Sequence, residues 1–274
     1  MRKSFTFCIL LAVSLLGRTA EARNSYSTNF LLTENPISEG GRWINGQDVG
    51  IDFKNCRTKP GLVYGNQDGH QPPPYDDTTC VLNGTWGRAQ SIEATVVVSP
   101  NPNGSQEVEL RLLTTISGHS ITGYEVLFSV TGNTYVEVMR WDGGITLDKF
   151  SSVVFGYGPR LKTGDRVKAT VSAAGVFTVY EDTGGGYVQI LQGTDTRYTT
   201  GAPGVGFFNV GSGANDTFGF STFFASDDGT RAPAPPTNVR IISGAMNGPF
   251  PAFPLALLFR RRFEFTARLN NLVG

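Results

Sequence analysis

The sequence lacks an excess of charge of either sign. Its 274 residues include 23 basic and 23 acidic side chains, which gives a formal net charge of +0. Domains that bind nucleic acid usually carry a basic patch and a basic excess, because their main contacts are with phosphates. We therefore expect no nucleic-acid partner.

Histidine and cysteine are also scarce, at 2 and 3 residues. His70 and His119 have no Cys or His partner at the spacing of a zinc site, so the sequence predicts no zinc. No Ser-His-Asp order with a nucleophile elbow is present, which argues against that class of hydrolase. The run Gly184-Gly185-Gly186 lacks the Lys-Ser/Thr of a phosphate loop and instead predicts a hairpin turn.

The chain also lacks an apolar run long enough for an ordinary membrane-spanning helix. Its apolar N-terminal run, residues 5–17, follows the basic start Met1-Arg2-Lys3 and precedes the cleavage-type sequence Ala20-Glu21-Ala22. This order is typical of a secretory signal peptide. We predict a signal peptide over residues 1–22, a secreted, extracellular protein, and no membrane contact after cleavage; a retained anchor is the alternative.

Cleavage would remove Cys8 and leave Cys56 and Cys80. An even pair of cysteines in an exported chain predicts a disulfide bond, here between Cys56 and Cys80. The bond would close a turn-rich loop and restrict the unfolded chain. Two buried free thiols are the alternative.

Short alternating apolar runs are abundant from residue 90 to residue 225, with no amphipathic helix between them. In one run, Tyr124, Val126 and Phe128 alternate with polar or outward positions, and after Gly132-Asn133 the alternation resumes. Side chains of a strand point to opposite faces in turn, and Gly-Asn suits a tight turn. We predict an all-β fold, an antiparallel two-sheet sandwich over residues 23–226.

The composition changes at residue 227. A Pro-rich stretch predicts a stiff linker over residues 227–240. Residues 241–274 are too few to bury a core of their own. We expect this tail to be disordered or to be the start of a truncated module.

Three groups of residues resemble the concanavalin A-like lectin/glucanase superfamily, and in particular the laminin-G-like domains of secreted bacterial proteins. They are Gly123-Tyr124 with Arg140-Trp141-Asp142-Gly143, Gly164-Asp165 with Val179-Tyr180, and Tyr198 with Gly201-Ala202-Pro203-Gly204. The resemblance covers residues 28–225 and implies a jelly-roll sandwich with one concave sheet. The matched positions are turn and core residues, so they specify fold rather than function. The run PAPPTNVRII resembles the start of a fibronectin type III repeat.

Glucanases of this superfamily carry their catalytic carboxylates on one strand of the concave sheet, as E-x-D-x-x-E or E-x-D-x-E. Hydrolysis of a glycosidic bond needs two carboxyl groups that flank it. The nearest match here is Glu107-Val108-Glu109-Leu110-Arg111, in which an arginine replaces the third carboxylate. Glu125 and Glu137 are candidates for the same face. Because polar outer faces are ordinary in antiparallel sheets, we expect a solvated face of mixed charge without catalytic residues.

Sugar binding commonly uses an exposed aromatic platform with a polar rim. Tyr135, Glu137 and Trp141 fall on one face of a predicted strand, and Arg111 is expected nearby. We take these four residues as candidate ligand-binding residues; the alternative for Trp141 is packing at the edge of the core.

No cofactor is predicted other than calcium, which suits loop carboxylates. The candidate calcium ligands are Asp76, Asp77, Asp182, Asp216, Asp227 and Asp228. Ordinary surface turn residues are the alternative reading of these positions.

Taken together, the sequence predicts a secreted, non-catalytic β-sandwich module whose partner is a glycan or another extracellular surface component. A glycoside hydrolase or polysaccharide lyase of the same fold is the first alternative. A structural spacer domain of an extracellular protein is the second.

Overall fold

A computed structural model of the chain describes residues 24–67, 77–99, 104–132, 134–144, 149–210 and 214–227. The predicted signal peptide over 1–22 and tail over 241–274 lie outside these residues, as does the predicted linker apart from Asp227. Within the described ranges, no helix has the length and apolar character needed to cross a membrane.

Two antiparallel sheets form the fold. The strands of the eight-stranded sheet are β1 (Ser25–Thr28), β3 (Arg57–Lys59), β4 (Leu62–Tyr64), β6 (Gln90–Val97), β11 (Arg166–Val171), β12 (Val176–Asp182), β13 (Val188–Thr194) and β15 (Gly219–Ser226). Their order in the sheet is β13-β12-β11-β6-β15-β4-β3, with β1 also paired to β15.

The strands of the seven-stranded sheet are β2 (Trp43–Asn45), β5 (Thr78–Leu82), β7 (Ser105–Ser117), β8 (Ser120–Ser129), β9 (Tyr135–Gly143), β10 (Phe150–Tyr157) and β14 (Ala202–Val210). Their order in the sheet is β10-β9-β8-β7-β14-β5-β2. Short 3-10 turns occur at Gln47–Val49 and Asn215–Thr217.

The core lies between the inner faces of the two sheets, as the alternating pattern predicts. In β8, Tyr124, Val126 and Phe128 are fully buried, and Val126 pairs with Val138 of β9. From the eight-stranded sheet, Val179 and other apolar residues meet them in the same cluster. Strands account for 57% of the described residues and helix for 4%, so the predicted all-β jelly-roll sandwich is confirmed.

The residues that carry the superfamily resemblance hold the sandwich together. The Tyr124 hydroxyl donates to Asp195 at 2.7 Å, and the Arg140 guanidinium donates to Asp195 at 2.7 Å and to Asp142 at 3.0 Å. Tyr198 donates to Asp142 as well. Burial would raise the pKa of Asp195, but hydrogen bonds from the Arg197 backbone N–H, Tyr124 and Arg140 outweigh it and lower that pKa. This network ties β8 and β9 to the loop that follows β13.

Two of the matched glycines are required by close backbone contact. Gly123 has a φ of 118°, and a Cβ atom there would lie 2.3 Å from the Leu113 carbonyl oxygen. Gly201 has a φ of 133°, and its Cβ would lie 2.3 Å from the Leu113 carbonyl carbon. Only glycine adopts such conformations without strain. Both positions are therefore structural.

The structure differs from the prediction of a disulfide between Cys56 and Cys80. Both residues are free thiols, and both are fully buried in the core. Burial, together with a hydrogen bond to the Cys56 side chain, raises the pKa of the Cys80 thiol well above its usual range. Since the thiolate is the reactive form, this environment slows oxidation and alkylation of Cys80.

We expect Cys56 and Cys80 to resist alkylation by iodoacetamide in the native protein, because both thiols are fully buried. In denaturant without any reductant, both residues should react rapidly. Peptide mass spectrometry of the alkylated protein measures this directly. If the two residues react only after a reductant is added, a disulfide is present and the free-thiol arrangement is incorrect.

Candidate functional site

The outer face of the seven-stranded sheet carries a group of charged side chains on β7 and β8. Because Val108, Leu110 and Leu112 point into the core, the intervening residues of β7 point to the other face. In the pairing of the two strands, Arg111 lies opposite Glu125. We name Glu107, Glu109, Arg111 and Glu125 the buried charge cluster.

The expectation that this face is solvated is wrong. All four residues of the buried charge cluster have an exposed fraction of 0%. The segment that follows β2 folds over the face and places the buried side chains Ile51 and Phe53 there. The Phe53 ring centroid lies 5.9 Å from the Arg111 guanidinium carbon and 5.5 Å from the centroid of Trp141. The face is therefore a closed polar interior rather than an open surface.

Arg111 is the centre of the buried charge cluster. Its Nη1 donates to Glu125 Oε2 at 2.5 Å, and its Nη2 donates to Glu109 Oε2 at 2.6 Å. Trp141 Nε1 donates to the same Glu125 oxygen at 2.8 Å, and the Tyr135 hydroxyl donates to Glu107. Two of the predicted ligand-binding residues, Arg111 and Trp141, thus serve to hold carboxylates in place.

A glycine on β14 makes room for this arrangement. Gly206 pairs with Glu109, and a Cβ atom at 206 would lie 2.3 Å from Glu109 Oε2 and 2.6 Å from Arg111 Nη2. The superfamily motif assigned Gly204 and Gly206 to a turn before the last strand, whereas both residues lie within β14. The sequence signal for this space is the repeat of glycine at alternate positions of one strand, because it leaves one face of that strand without side chains.

Burial and neighbouring charge shift the pKa values of the cluster. Burial, followed by the nearby Glu125 carboxylate, raises the pKa of Glu109 well above its usual range despite the attraction of Arg111. For Arg111, burial would lower the pKa, but Glu125 and Glu109 outweigh it and raise the pKa. Glu109 therefore keeps its proton to a higher pH than an exposed glutamate does, while Arg111 stays charged.

The carboxylate oxygens of Glu107, Glu109 and Glu125 lie within 4.8 Å of one another, a spacing that can surround a cation. The Arg111 guanidinium already bonds to two of these three carboxylates. A further cation would have to share that space with a buried positive charge, which is electrostatically unfavourable. The arginine of the cluster thus occupies the position that a metal cation would need.

Three of the aspartates proposed as calcium ligands each have a different partner. Asp182 pairs with Arg166, Asp216 pairs with Lys59, and Asp227 accepts hydrogen bonds from Asn24. These three carboxylates do not form a common site. Asp76 and Asp228 lie outside the described residues.

Trp141 is not an exposed platform. Its exposed fraction is 3%, and its ring packs against Phe53 and, at 5.2 Å between centroids, against Phe150. The structure therefore has Trp141 in the alternative arrangement, packed at the edge of a small apolar cluster.

Tyr135 and Glu137 lie in a different environment, at the edge of the sheet formed by β9 and β10. Tyr135 pairs with Tyr157, and Glu137 pairs with Phe155, so these side chains share the outer face. The rings of Tyr135 and Phe155 are stacked, with centroids 6.1 Å apart and planes 25° apart. Tyr157 meets Phe155 edge-on at 5.3 Å, and Tyr157 is 70% exposed. We name Tyr135, Phe155 and Tyr157 the aromatic strip.

No protein-family model and no curated protein matches the chain. Among solved structures, the carbohydrate-binding module CBM66 from Bacillus subtilis is similar with a TM-score of 0.47 and 14% identity, over 69% of this chain and 96% of that one.

The carbohydrate recognition domain of Emp46p, in its metal-free form, is similar with a TM-score of 0.49 and 13% identity, over 73% of this chain and 95% of that one. The exoplasmic/lumenal domain of VIP36, with Ca2+ and Man3GlcNAc bound, is similar with a TM-score of 0.48 and 11% identity, over 71% of this chain and 89% of that one. At these identities and TM-scores, the similarity does not establish what this chain binds.

Sequence reasoning missed Phe155 and Tyr157 for a physical reason. Between Ser152 and Val154 the pairing of β10 with β9 shifts by one residue, as in a β-bulge. The bulge breaks the alternation, so the sequence of β10 does not reveal that Phe155 and Tyr157 share a face with Phe150. The bulge is visible only once the partner strand is known.

We predict that Glu109→Gln stabilises the protein at high pH. A glutamate whose pKa is raised in the folded state contributes most to the free energy of unfolding at a pH below its unfolded pKa. This stabilisation is lost as the pH rises through the folded pKa. Glutamine keeps the shape and never ionises. We expect the melting temperatures of wild type and variant to agree near pH 4, and the variant to melt about 3 °C or more higher at pH 9, which is roughly 1 kcal/mol.

Circular dichroism melts between pH 4 and pH 9 measure this difference. Asp216→Asn is the matched control, because it removes a carboxylate from a half-exposed ion pair, and exposed pairs contribute little. A Glu109→Gln variant that melts below wild type at pH 9 would show that ionised Glu109 stabilises the fold through Arg111.

Proposed function

We propose that this protein is a secreted, non-catalytic carbohydrate-binding module whose ligand packs against the aromatic strip. The observation that supports it is the contiguous set of three rings on one outer face, ending in Tyr157 with 70% of its surface exposed. Isolated exposed aromatic residues are common, but three contiguous rings at a sheet edge form an extended apolar surface. Such a surface suits the apolar face of a sugar ring.

A carboxylate beside the strip supplies the polar contacts. Glu137 lies opposite Phe155 and is 8% exposed, whereas Glu107 is fully buried and positions the Tyr135 hydroxyl that donates to it. An ionised carboxylate offers about four lone-pair positions, so it accepts hydrogen bonds from sugar hydroxyls in addition to those it already accepts. The predicted ligand residues Tyr135 and Glu137 keep that role in this proposal, whereas Trp141 and Arg111 act behind the surface.

The geometry of the buried charge cluster favours binding over catalysis. A glycosidase places two carboxyl groups on either side of the scissile bond, with access for substrate and water. Here Arg111 bonds to Glu109 and Glu125, and no part of these side chains is exposed. The resemblance to concanavalin A-like lectins and the signal-like N-terminus agree with a secreted binding module.

One observation favours a second candidate, a glycoside hydrolase. Glu109 has a raised pKa beside other carboxylates, and a general acid in such an enzyme needs this property. This function would require the segment carrying Ile51 and Phe53 to move away from the face. A polysaccharide lyase would need the same movement, and a spacer domain would need neither the strip nor the cluster.

We expect Tyr157→Ala to weaken glycan binding about tenfold, equal to the loss of about 1.4 kcal/mol of ring contact. A glycan array of the purified protein first identifies a bound glycan, and calorimetry with that glycan then measures the affinity. Leu31→Ala is the matched control, because Leu31 is 69% exposed and lies away from the strip. Unchanged affinity in Tyr157→Ala would contradict the proposed surface.

The same preparation tests the second candidate. Release of reducing sugar from mixed polysaccharides is measured for wild type and for Glu109→Gln. We expect no release from either protein. Release by wild type that Glu109→Gln abolishes would establish the hydrolase instead.

A further inference from the structure

A small cavity lies at the opposite edge of the seven-stranded sheet from the aromatic strip. Its volume is about 180 Å³. It opens beside the start of β1 and the end of β5, and its lining includes Asn24, Tyr26, Arg42, Asn83, Thr85 and Trp86. We name it the Trp86 pocket.

The walls of the Trp86 pocket are held by hydrogen bonds. Asn24 Nδ2 donates to the Thr85 carbonyl at 2.7 Å, and the Asn83 backbone N–H donates to the Arg42 carbonyl at 2.8 Å. Trp86 Nε1 donates to the Asn83 carbonyl at 3.3 Å. These bonds join the turn after β5 to β1 and to the segment before β2. The pocket is therefore formed before any ligand arrives, as is usual for small-ligand sites.

The chemistry of the pocket is aromatic on one side and cationic on another. Tyr26 and Trp86 are half-buried and pack against the core. Arg42 is exposed, and its guanidinium makes no hydrogen bond or ion pair within the described part of the chain. An unpaired guanidinium suits a carboxylate, which it binds through two parallel hydrogen bonds.

The carboxylates close to the pocket are already engaged. Asp227 accepts hydrogen bonds from Asn24 Nδ2 at 2.9 Å and from the Gly87 N–H at 2.8 Å. Glu39 accepts hydrogen bonds from the Tyr26 hydroxyl and from Trp43 Nε1. Arg42 is therefore the charged side chain that the pocket lining offers to a ligand.

We propose that the Trp86 pocket binds a single residue of an acidic sugar, a hexuronate. The sugar ring would pack on Trp86, its carboxylate would pair with Arg42, and one of its hydroxyls would donate to Asn24 Oδ1. The cavity is smaller than the roughly 300–1,000 Å³ of drug-sized sites, so it holds one ring rather than a chain. Strands β8, β7 and β14 separate it from the aromatic strip, a distance of about 19 Å or more, so the proposal does not depend on the strip.

Calorimetry with the purified protein tests this site, with sodium glucuronate as the probe and glucose as the neutral comparison. We expect saturable glucuronate binding in the millimolar range and at least about tenfold weaker binding of glucose, because glucose cannot pair with Arg42. Arg42→Gln should lose this preference, and because Arg42 is exposed the variant should fold normally. Trp86→Ala should bind neither sugar.

Arg160→Gln is the matched control, since it removes an exposed guanidinium that does not line the pocket. Its affinity for glucuronate should equal that of wild type. The proposal is overturned by absence of glucuronate binding up to about 50 mM, by equal binding of glucose, or by an Arg42→Gln variant that keeps the preference. A loss of glucuronate binding in Tyr157→Ala would also overturn it, because the ligand would then lie on the strip.

Discussion

The ion pairs of Arg111 with Glu109 and Glu125 are the constraint on which the outer face of the seven-stranded sheet depends. A fully buried guanidinium is tolerated only where well-placed acceptors bond to its N–H groups. The cluster also fixes its surroundings. Gly206 must lack a side chain, Trp141 must turn its N–H toward Glu125, and Tyr135 must turn its hydroxyl toward Glu107.

The residues that hold the structure together differ from those that are exposed to a ligand. The residues that resemble the concanavalin A-like superfamily, such as Tyr124, Arg140 and Asp142, are engaged in hydrogen bonds that join strands and loops. The exposed ring of Tyr157 and the exposed guanidinium of Arg42 lie outside those matched positions. A resemblance carried by turn and core residues therefore describes the scaffold, and the surfaces available to ligands belong to this chain individually.

Much of the fold could be predicted from the sequence, because period-two alternation is a local property. The β8–β9 hairpin and the inward positions of Val126 and Val138 follow from it directly. Closure of the outer face could not be predicted, since it depends on Ile51 and Phe53 from a segment distant in sequence. The free state of Cys56 and Cys80 was missed because cysteine count reports the expected compartment rather than the packing around each thiol.

The bulge in β10 determines which side chains this strand presents on the outer face of the sheet. With the extra residue near Val153, Phe155 and Tyr157 emerge on the same side as Phe150 and Tyr135. If β10 kept all its residues but paired without the bulge, every residue after Val153 would emerge on the opposite side of the sheet. The tyrosine would then point between the sheets and Gly156 would point outward. The irregular pairing at this one position thus determines whether this edge of the molecule presents a ring or a bare backbone to its surroundings.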